Sequence, residues 1–179
     1  MAHPEIQALA DKEAIREAVY TYCRAVDRRD EELLQTCFHP GATHEHGDFK
    51  GRSTDFIGFA FKFLSVLRET QHLVGNILID LRGETAVSEA YWTAFHRIPA
   101  SETAAEIFGP RDGEQDWIVG GRYIDRFEKR DGVWRIADRL GVHDWQRFEP
   151  AADGGFHQLP ESFRGEPSTA DRIYGRLRG

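Results

Sequence analysis

The sequence contains few cysteines, no long hydrophobic run and no excess of basic residues, and each shortage excludes a class of protein. Its two cysteines, Cys23 and Cys37, are too few for a disulfide framework or a zinc cluster, and we expect them to be buried as small apolar side chains. No segment approaches the roughly 20 uninterrupted apolar residues of a membrane span. The N-terminus also lacks the basic and apolar regions of a signal peptide. We therefore expect a cytoplasmic protein that does not enter the membrane.

The charge of the chain argues against nucleic acid as a partner. The sequence has 23 Lys and Arg against 30 Asp and Glu, a formal net charge of −7, whereas affinity for a phosphate backbone comes from clustered Lys and Arg. What is present is a globular composition: 179 residues, of which 40% are hydrophobic and 12% aromatic. We predict one main domain over residues 1–148. An irregular tail rich in glycine and proline follows over residues 149–179.

The order of the hydrophobic patterns indicates an α+β fold. Apolar positions spaced by three and four residues predict a first helix from an N-cap at Asp11 to Asp27, and further helices over 30–37 and 53–68. Alternating patterns predict strands over 42–46, 72–81, 85–98, 117–129 and 133–143, with a hairpin turn at Asp131-Gly132. Residues 99–114 are expected to form a polar loop. Three N-terminal helices should therefore pack on one face of a curved antiparallel sheet.

Asp27 and His72 are the residues whose types point most directly to chemistry. Asp27 lies at the edge of the apolar stripe of the first helix, and His72 opens an apolar strand. An imidazole that donates one ring N–H to a carboxylate gains basicity and a fixed tautomer, which leaves its other nitrogen to accept a proton from a substrate. The alternatives are a surface acid paired weakly with neighbouring arginines and a strand histidine bonded to the backbone. The pattern leaves both possibilities open.

The segment His44-Glu45-His46 places two imidazoles on the same face of a strand. Such a pair can bind a metal ion, but no third ligand follows at a suitable spacing, so we predict no metal. We interpret His44 and His46 as pocket-lining residues that hydrogen-bond a substrate, with ordinary strand-end polarity as the alternative.

Three features together resemble the SnoaL-like branch of the nuclear transport factor 2-like superfamily, and within it the scytalone dehydratases and hexachlorocyclohexane dehydrochlorinases. They are the helix that ends in Val26-Asp27, the segment 71–75 and the hairpin 121–134. The likeness covers residues 5–145. It implies a cone-shaped fold that encloses a deep pocket, and a homotrimer or homodimer. It also implies chemistry without cofactor or metal, in which His72 is the general base and Asp27 orients it.

The resemblance also implies which residues contact a substrate. Alternation along a strand sends Tyr91, Thr93 and Phe95 to one face, and the likeness implies that this face is the cavity. Arg139 in an apolar strand requires a cavity or an acidic partner, for which Asp138, Asp125 and Asp144 are the alternatives. A second catalytic histidine of the dehydratases is matched by Arg97 rather than by His96. The expected substrate-binding residues are Tyr22, Cys23, His44, His46, Tyr91, Thr93, Phe95, Tyr123 and Arg139.

These features predict a cofactor-independent lyase that acts on a small hydrophobic substrate, aromatic or phenolic in character. Its reaction would be a dehydration, or a C–C cleavage that releases formaldehyde from a lignin-derived diarylpropane. The alternatives are an isomerase or cyclase, and a non-catalytic module that binds small molecules. The presence of both Asp27 and His72 argues against the binding module, because binding alone requires neither. We expect the tail to cover the pocket or a neighbouring subunit.

Overall fold

The structure is a computed structural model that describes residues 3–152 and 156–178, and these residues form five α-helices and six strands. The α-helices are α1 (Pro4–Asp27), α2 (Glu31–Thr36), α3 (Ser53–Ser65), α4 (Glu102–Phe108) and α5 (Arg172–Arg178). The strands are β1 (Phe38–His46), β2 (Phe49–Arg52), β3 (Thr70–Arg82), β4 (Thr85–Ile98), β5 (Gln115–Arg130) and β6 (Val133–Pro150). Short 3₁₀ turns lie at Phe156–Gln158 and Glu161–Phe163. The predicted α+β class is confirmed.

The strands form one curved sheet in the order β2-β1-β6-β5-β4-β3. Strands β3 to β6 make the predicted antiparallel meander. Strand β1 departs from it, because it pairs in parallel with β6, with His46 opposite Gly141. Strand β2 pairs with β1 and was not predicted, since its four residues are too short for a clear alternating pattern. Because of this parallel pairing, the C-terminal end of β1 lies beside the middle of β6.

Helix α1 begins at Pro4 rather than at the predicted N-cap, Asp11. Proline is well tolerated in the first turn of a helix, where its missing N–H has no intrahelical partner. Asp11 lies inside the helix and is buried. Its Oδ1 accepts hydrogen bonds from Nζ of Lys129 at 2.8 Å and from Nε1 of Trp134 at 2.9 Å. Asp11 therefore ties the helix to the β5–β6 hairpin.

Two segments are more regular than predicted. Residues 99–114 contain helix α4, which Ser101 caps by accepting a hydrogen bond from the backbone of Ala104 at 3.2 Å. Strand β6 continues beyond residue 143 to Pro150, paired with β5 along its length. In the described part of the chain, no helix combines the length and the apolar character needed to cross a membrane.

The core lies between the helices and the inner face of the sheet. Helices α1 and α3 contribute apolar side chains such as Ile15, Val19 and Ile57. The inner face of β4 carries mainly small residues, including Ala86, Ala90 and Ala94, all of them buried. Small side chains on a strand allow larger neighbours to fill the interior. Here they leave room for Trp92, and for the cavity described below.

The described part of the tail contacts the C-terminal end of α1. The hydroxyl of Tyr174 donates to Oδ2 of Asp30 at 2.7 Å. Arg28 donates to the carbonyl of Glu166 at 3.0 Å and forms a longer ion pair with Asp171 at 3.9 Å. These contacts place the tail next to the helix end that carries Asp27. The predicted division into a domain and a covering tail stays a prediction.

Candidate active site

Asp27 and His72 meet where the end of α1 crosses β3. Oδ1 of Asp27 lies 2.7 Å from Nδ1 of His72, and Oδ2 accepts the backbone N–H of the same histidine at 2.8 Å. Two bonds to one residue fix both the position and the orientation of the carboxylate. Both side chains are only 9% exposed. Asp27 is therefore not the surface acid that the sequence left open as an alternative.

The carboxylate determines which nitrogen of His72 is available. Because ionised Asp27 can only accept, Nδ1 of His72 carries the hydrogen and the lone pair lies on Nε2. Nε2 has no hydrogen-bond partner within residues 3–152 and 156–178, and His72 forms part of the wall of an internal cavity. The pair thus has the arrangement of a general base held by an acid.

A second histidine is linked to the same carboxylate through Thr70. The Thr70 hydroxyl donates to Oδ1 of Asp27 at a long 3.5 Å and lies 2.9 Å from Nδ1 of His96. Burial, and then the charges of His72 and His143, lower the pKa of His96 well below its ordinary value. His96 is therefore neutral at physiological pH.

His96, and not Arg97, is the residue of this segment that faces the cavity. The Arg97 side chain is turned away, and its Nε donates to Oδ1 of Asp116 at 2.5 Å. Successive residues of a strand point to opposite faces, so only one of the two can reach the interior. Arg97, the residue matched to a second catalytic histidine of the dehydratases, therefore does not reach the cavity.

The cavity has a volume of about 220 Å³ and a largely aromatic wall. A dry cavity of roughly 150 Å³ is large enough to hold benzene, so this one suits a substituted aromatic ring. Four histidines take part in the wall: His46, His72, His96 and His143. The aromatic wall residues include Tyr22, Phe56, Phe63, Trp92, Trp117 and Tyr123.

Strand β4 presents to the cavity the face opposite to the one predicted. Trp92 is buried and lines the cavity, whereas Tyr91 is 43% exposed on the outer surface. Thr93 is also exposed and Phe95 is half-buried on that outer face. The prediction that Tyr91, Thr93 and Phe95 bind substrate is therefore wrong. The physical reason is the alternation with Ala90 and Ala94, whose small side chains suit the inner face.

Arg139 lies behind the cavity wall rather than in it. Its side chain is fully buried and donates two hydrogen bonds of 2.6 Å to the carboxylate of Asp125. Its guanidinium carbon lies 4.0 Å and 4.2 Å from the ring centres of Tyr22 and Tyr123, which do line the cavity. The prediction of a substrate contact by Arg139 is wrong. Its alternative, pairing with Asp125, is what occurs, because a buried guanidinium requires a nearby anion.

Cys23 does not line the aromatic cavity. It borders a second hollow, which Asp27, His72 and Ile173 of the tail also line. Burial raises the pKa of its thiol to about 12, which keeps it protonated. The expected contact between Cys23 and a substrate in the aromatic cavity is not present.

His44 is also outside the cavity wall. It is 1% exposed, and its ring stacks on that of Phe56 with centroids 3.5 Å apart. Neither ring nitrogen has a hydrogen-bond partner in the described structure. Burial, with the charge of Arg139, lowers the pKa of His44 to about 2. His44 is thus a neutral packing residue, and its predicted place against a substrate is wrong.

His46 lines the cavity and has a partner that sequence reasoning missed. Its Nε2 lies 2.9 Å from Nε2 of His143 on β6. The Trp92 ring lies near both, with its centroid 6.2 Å from that of His46 and 5.4 Å from that of His143. Trp117 also lines the cavity, although its sequence pattern placed it on a strand and not in the site. Among the described residues, no three His, Cys, Asp or Glu side chains converge as metal ligands would.

The fold and the site define an α+β domain in which a buried histidine–carboxylate pair opens onto an aromatic cavity. The chain belongs to the SnoaL-like domain family, whose model matches residues 7–140. This confirms the resemblance inferred from the helix end, the segment 71–75 and the hairpin. No match is found among curated protein sequences.

Solved structures with the same fold share little sequence with this chain. A candidate scytalone dehydratase from Novosphingobium aromaticivorans is 22% identical, with a TM-score of 0.65 over 81% of this chain and 91% of its own. The hexachlorocyclohexane dehydrochlorinase LinA-type3 from Novosphingobium barchaimii is 18% identical, with a TM-score of 0.65 over 87% and 99%. A protein of unknown function from Mycobacterium tuberculosis is 20% identical, with a TM-score of 0.62 over 98% and 91%. Such identities establish the fold alone.

Proposed function

We propose that this protein is a cofactor-independent lyase that catalyses an elimination on a small aromatic molecule. One observation carries the proposal: the 2.7 Å contact between Asp27 and Nδ1 of His72, which leaves Nε2 of the histidine as a free base at an aromatic cavity. A binding module needs no such base. A positioned acid or base contributes roughly 10² to 10⁴ to a rate, enough to matter for a carbon acid activated by a carbonyl or a phenol.

In a dehydration, Nε2 of His72 accepts a proton from the carbon next to the activating group. The electron pair of that C–H bond becomes the new double bond, the neighbouring C–O bond breaks, and the hydroxide takes up a proton and leaves as water. Asp27 stays ionised throughout and stabilises the imidazolium that forms. The imidazolium then returns its proton to solvent.

In formaldehyde release, loss of a benzylic hydroxyl from a phenolic substrate first gives a quinone methide. His72 then removes the proton of a primary alcohol, and the O–H electron pair becomes the C=O bond of formaldehyde. The adjacent C–C bond breaks, its electron pair forms a new C=C bond, and the π electrons of the quinone methide return to the ring as phenolate. The volume of about 220 Å³ accommodates one substituted ring. A second ring of a diarylpropane would have to extend beyond this volume.

The fold neighbours support the class of reaction by analogy only. Two of them are named for eliminations, one of water and one of hydrogen chloride. One fold can carry out many chemistries, so this analogy supports the proposed reaction only together with the geometry of His72 and Asp27.

The test is to incubate the protein with phenolic diols, β-hydroxy ketones and steroid-like alcohols and to follow product mass. Loss of water or of formaldehyde is the expected result, and it persists after exhaustive chelation. His72→Ala and Asp27→Asn should each remove most of the turnover, while Tyr91→Ser on the outer face serves as the matched control. Full activity in either site variant would overturn the proposal. Unchanged mass in a rearranged product would instead identify an isomerase.

A further inference from the structure

The His46–His143 pair is a second hydrogen-bonded imidazole system in the cavity, separate from Asp27 and His72. The two Nε2 atoms are 2.9 Å apart, so one of them donates a hydrogen to the other. His46 comes from the end of β1 and His143 from β6, and they meet because these strands are parallel neighbours. Gly141 lies opposite His46, and a Cβ at that position would collide with the His46 ring. The backbone is thus shaped to receive this imidazole.

Neither imidazole carries a charge at neutral pH. Burial, with the nearby charge of Arg139, lowers the pKa of His46 to about 3. Burial also lowers the pKa of His143. Two neutral rings joined through Nε2 contain one hydrogen on that bond and one hydrogen on an Nδ1 atom. The function of the pair depends on which Nδ1 carries it.

The burial of Nδ1 of His46 indicates which tautomer the pair adopts. Nδ1 of His46 is buried and has no hydrogen-bond partner in the described structure. Among backbone groups, a buried N–H without an acceptor is rarer than a buried carbonyl without a donor, and we apply the same preference to this ring. His46 therefore carries its hydrogen on Nε2 and donates it to His143. It follows that His143 accepts at Nε2 and carries its own hydrogen on Nδ1.

We propose that His143 is a specificity-determining residue whose Nδ1–H donates a hydrogen bond to an oxygen of the substrate, and that His46 is the positioning residue that holds this tautomer. His143 lies on an exposed stretch of β6 and lines the cavity, so its ring is accessible at the cavity mouth. The preferred ligands are aromatic molecules with a carbonyl or ether oxygen. A neutral imidazole is suited to polarise a carbonyl, as it does in triosephosphate isomerase.

The inference deepens the proposed function, because it rests on the cavity as the substrate site and names the polar group recognised there. In an elimination, a carbonyl held by His143 acidifies the neighbouring C–H bond. The proton from that bond goes to Nε2 of His72. Both imidazole systems lie near Trp92, whose ring centroid is 6.2 Å from that of His72 and 5.4 Å from that of His143.

Binding of a matched pair of probes tests the proposal without requiring turnover. Acetophenone and ethylbenzene differ mainly in the carbonyl oxygen, and their binding can be followed by NMR titration of the Trp92 indole N–H. We expect the wild type to prefer acetophenone by about 3- to 10-fold, the contribution of one hydrogen bond. His143→Leu should abolish this preference. His143→Asn should retain it, because the asparagine amide N–H occupies nearly the position of Nδ1–H.

An unchanged preference in His143→Leu would overturn the proposal, as would its loss in both variants of His143. If neither probe binds the wild type, both the proposed role of His143 and the assignment of the cavity as the substrate site are wrong. A preference that depends on His143, in a protein that turns over no substrate, would support this inference and contradict only the lyase. His72→Ala, which leaves His143 untouched, should retain the preference.

The role of His46 has its own measurement. In ¹⁵N-histidine NMR spectra at neutral pH, His143 should show a protonated Nδ1 and an unprotonated Nε2. His46→Leu should convert His143 to a mixture of tautomers, whereas His46→Gln, which retains a donor near the position of Nε2, should keep the single tautomer. A protonated Nε2 of His143 in the wild type would contradict the assignment.

Discussion

Lowering the pH from 7 to 5 should remove much of the stability of this protein through three neutral histidines. Burial lowers the pKa of His44 to about 2 and that of His46 to about 3, and it lowers that of His96 well below its ordinary value. In the unfolded chain each imidazole takes up a proton near pH 6.5. Below that pH the unfolded state binds protons that the folded state does not. The free energy of unfolding therefore falls as the pH falls.

The magnitude follows from proton linkage. A histidine that stays neutral when folded and has an unfolded pKa of about 6.5 lowers the free energy of unfolding by about 1.9 kcal/mol between pH 7 and pH 5. His44 and His46 together give roughly 4 kcal/mol, a large part of the total stability of roughly 5–15 kcal/mol for an ordinary domain. His96 acts in the same direction. His44 is the best single test, because it is 1% exposed and its ring nitrogens have no partner in the described structure.

The assay is denaturant unfolding of the wild type and of His44→Leu at both pH values, followed by circular dichroism. The wild type should lose about 2 kcal/mol more than the variant between pH 7 and pH 5. His3→Leu, at an exposed position near the start of α1, is the control and should keep the wild-type pH dependence. An equal loss in the wild type and in His44→Leu would refute the claim that His44 is neutral in the folded protein.

Three further substitutions test other parts of the site. Asp125→Asn should lower the free energy of unfolding by about 3–5 kcal/mol in denaturation experiments, since it leaves buried Arg139 without its anionic partner; a loss within experimental error would contradict the pair. Gly141→Ala should displace the His46 ring and change the ¹⁵N shifts of that imidazole. Unchanged shifts would show that the added methyl group does not collide with the ring. Tyr91→Ser should leave the kcat/KM of the elimination unchanged, whereas a large loss would place this residue in the cavity after all.

Much of the fold could be predicted because local periodicity determines it. The helix that ends at Asp27 and the four strands of the meander each follow from the spacing of apolar residues. Strand β2 and the parallel pairing of β1 with β6 depend on contacts distant in sequence, which no local pattern records. Asp11 shows the same limit, since an acid before an apolar run looks like an N-cap whether or not Lys129 and Trp134 bind it.

The candidate site was accessible from the sequence only where residue type was decisive. Residue type made Asp27 and His72 a possible pair, and the resemblance to SnoaL-like proteins supplied the expectation that the fold joins them. Alternation along β4 defined two faces but not which of them was internal. The small residues Ala90 and Ala94 were the available signal for the inner face. His143 could not be found, because its contact with His46 depends on the parallel pairing of two strands.

The most direct test of the central claim is the loss of deuterium from carbon. The β-hydroxy ketone formed from benzaldehyde and acetone, deuterated next to its carbonyl, is incubated with the wild type, His72→Ala and Asp27→Asn, and the release of deuterium is followed by mass spectrometry. The wild type should release deuterium as the unsaturated ketone forms, and each variant should be slower by about 10² or more. Equal rates in the wild type and both variants would show that Asp27 and His72 do not transfer the proton.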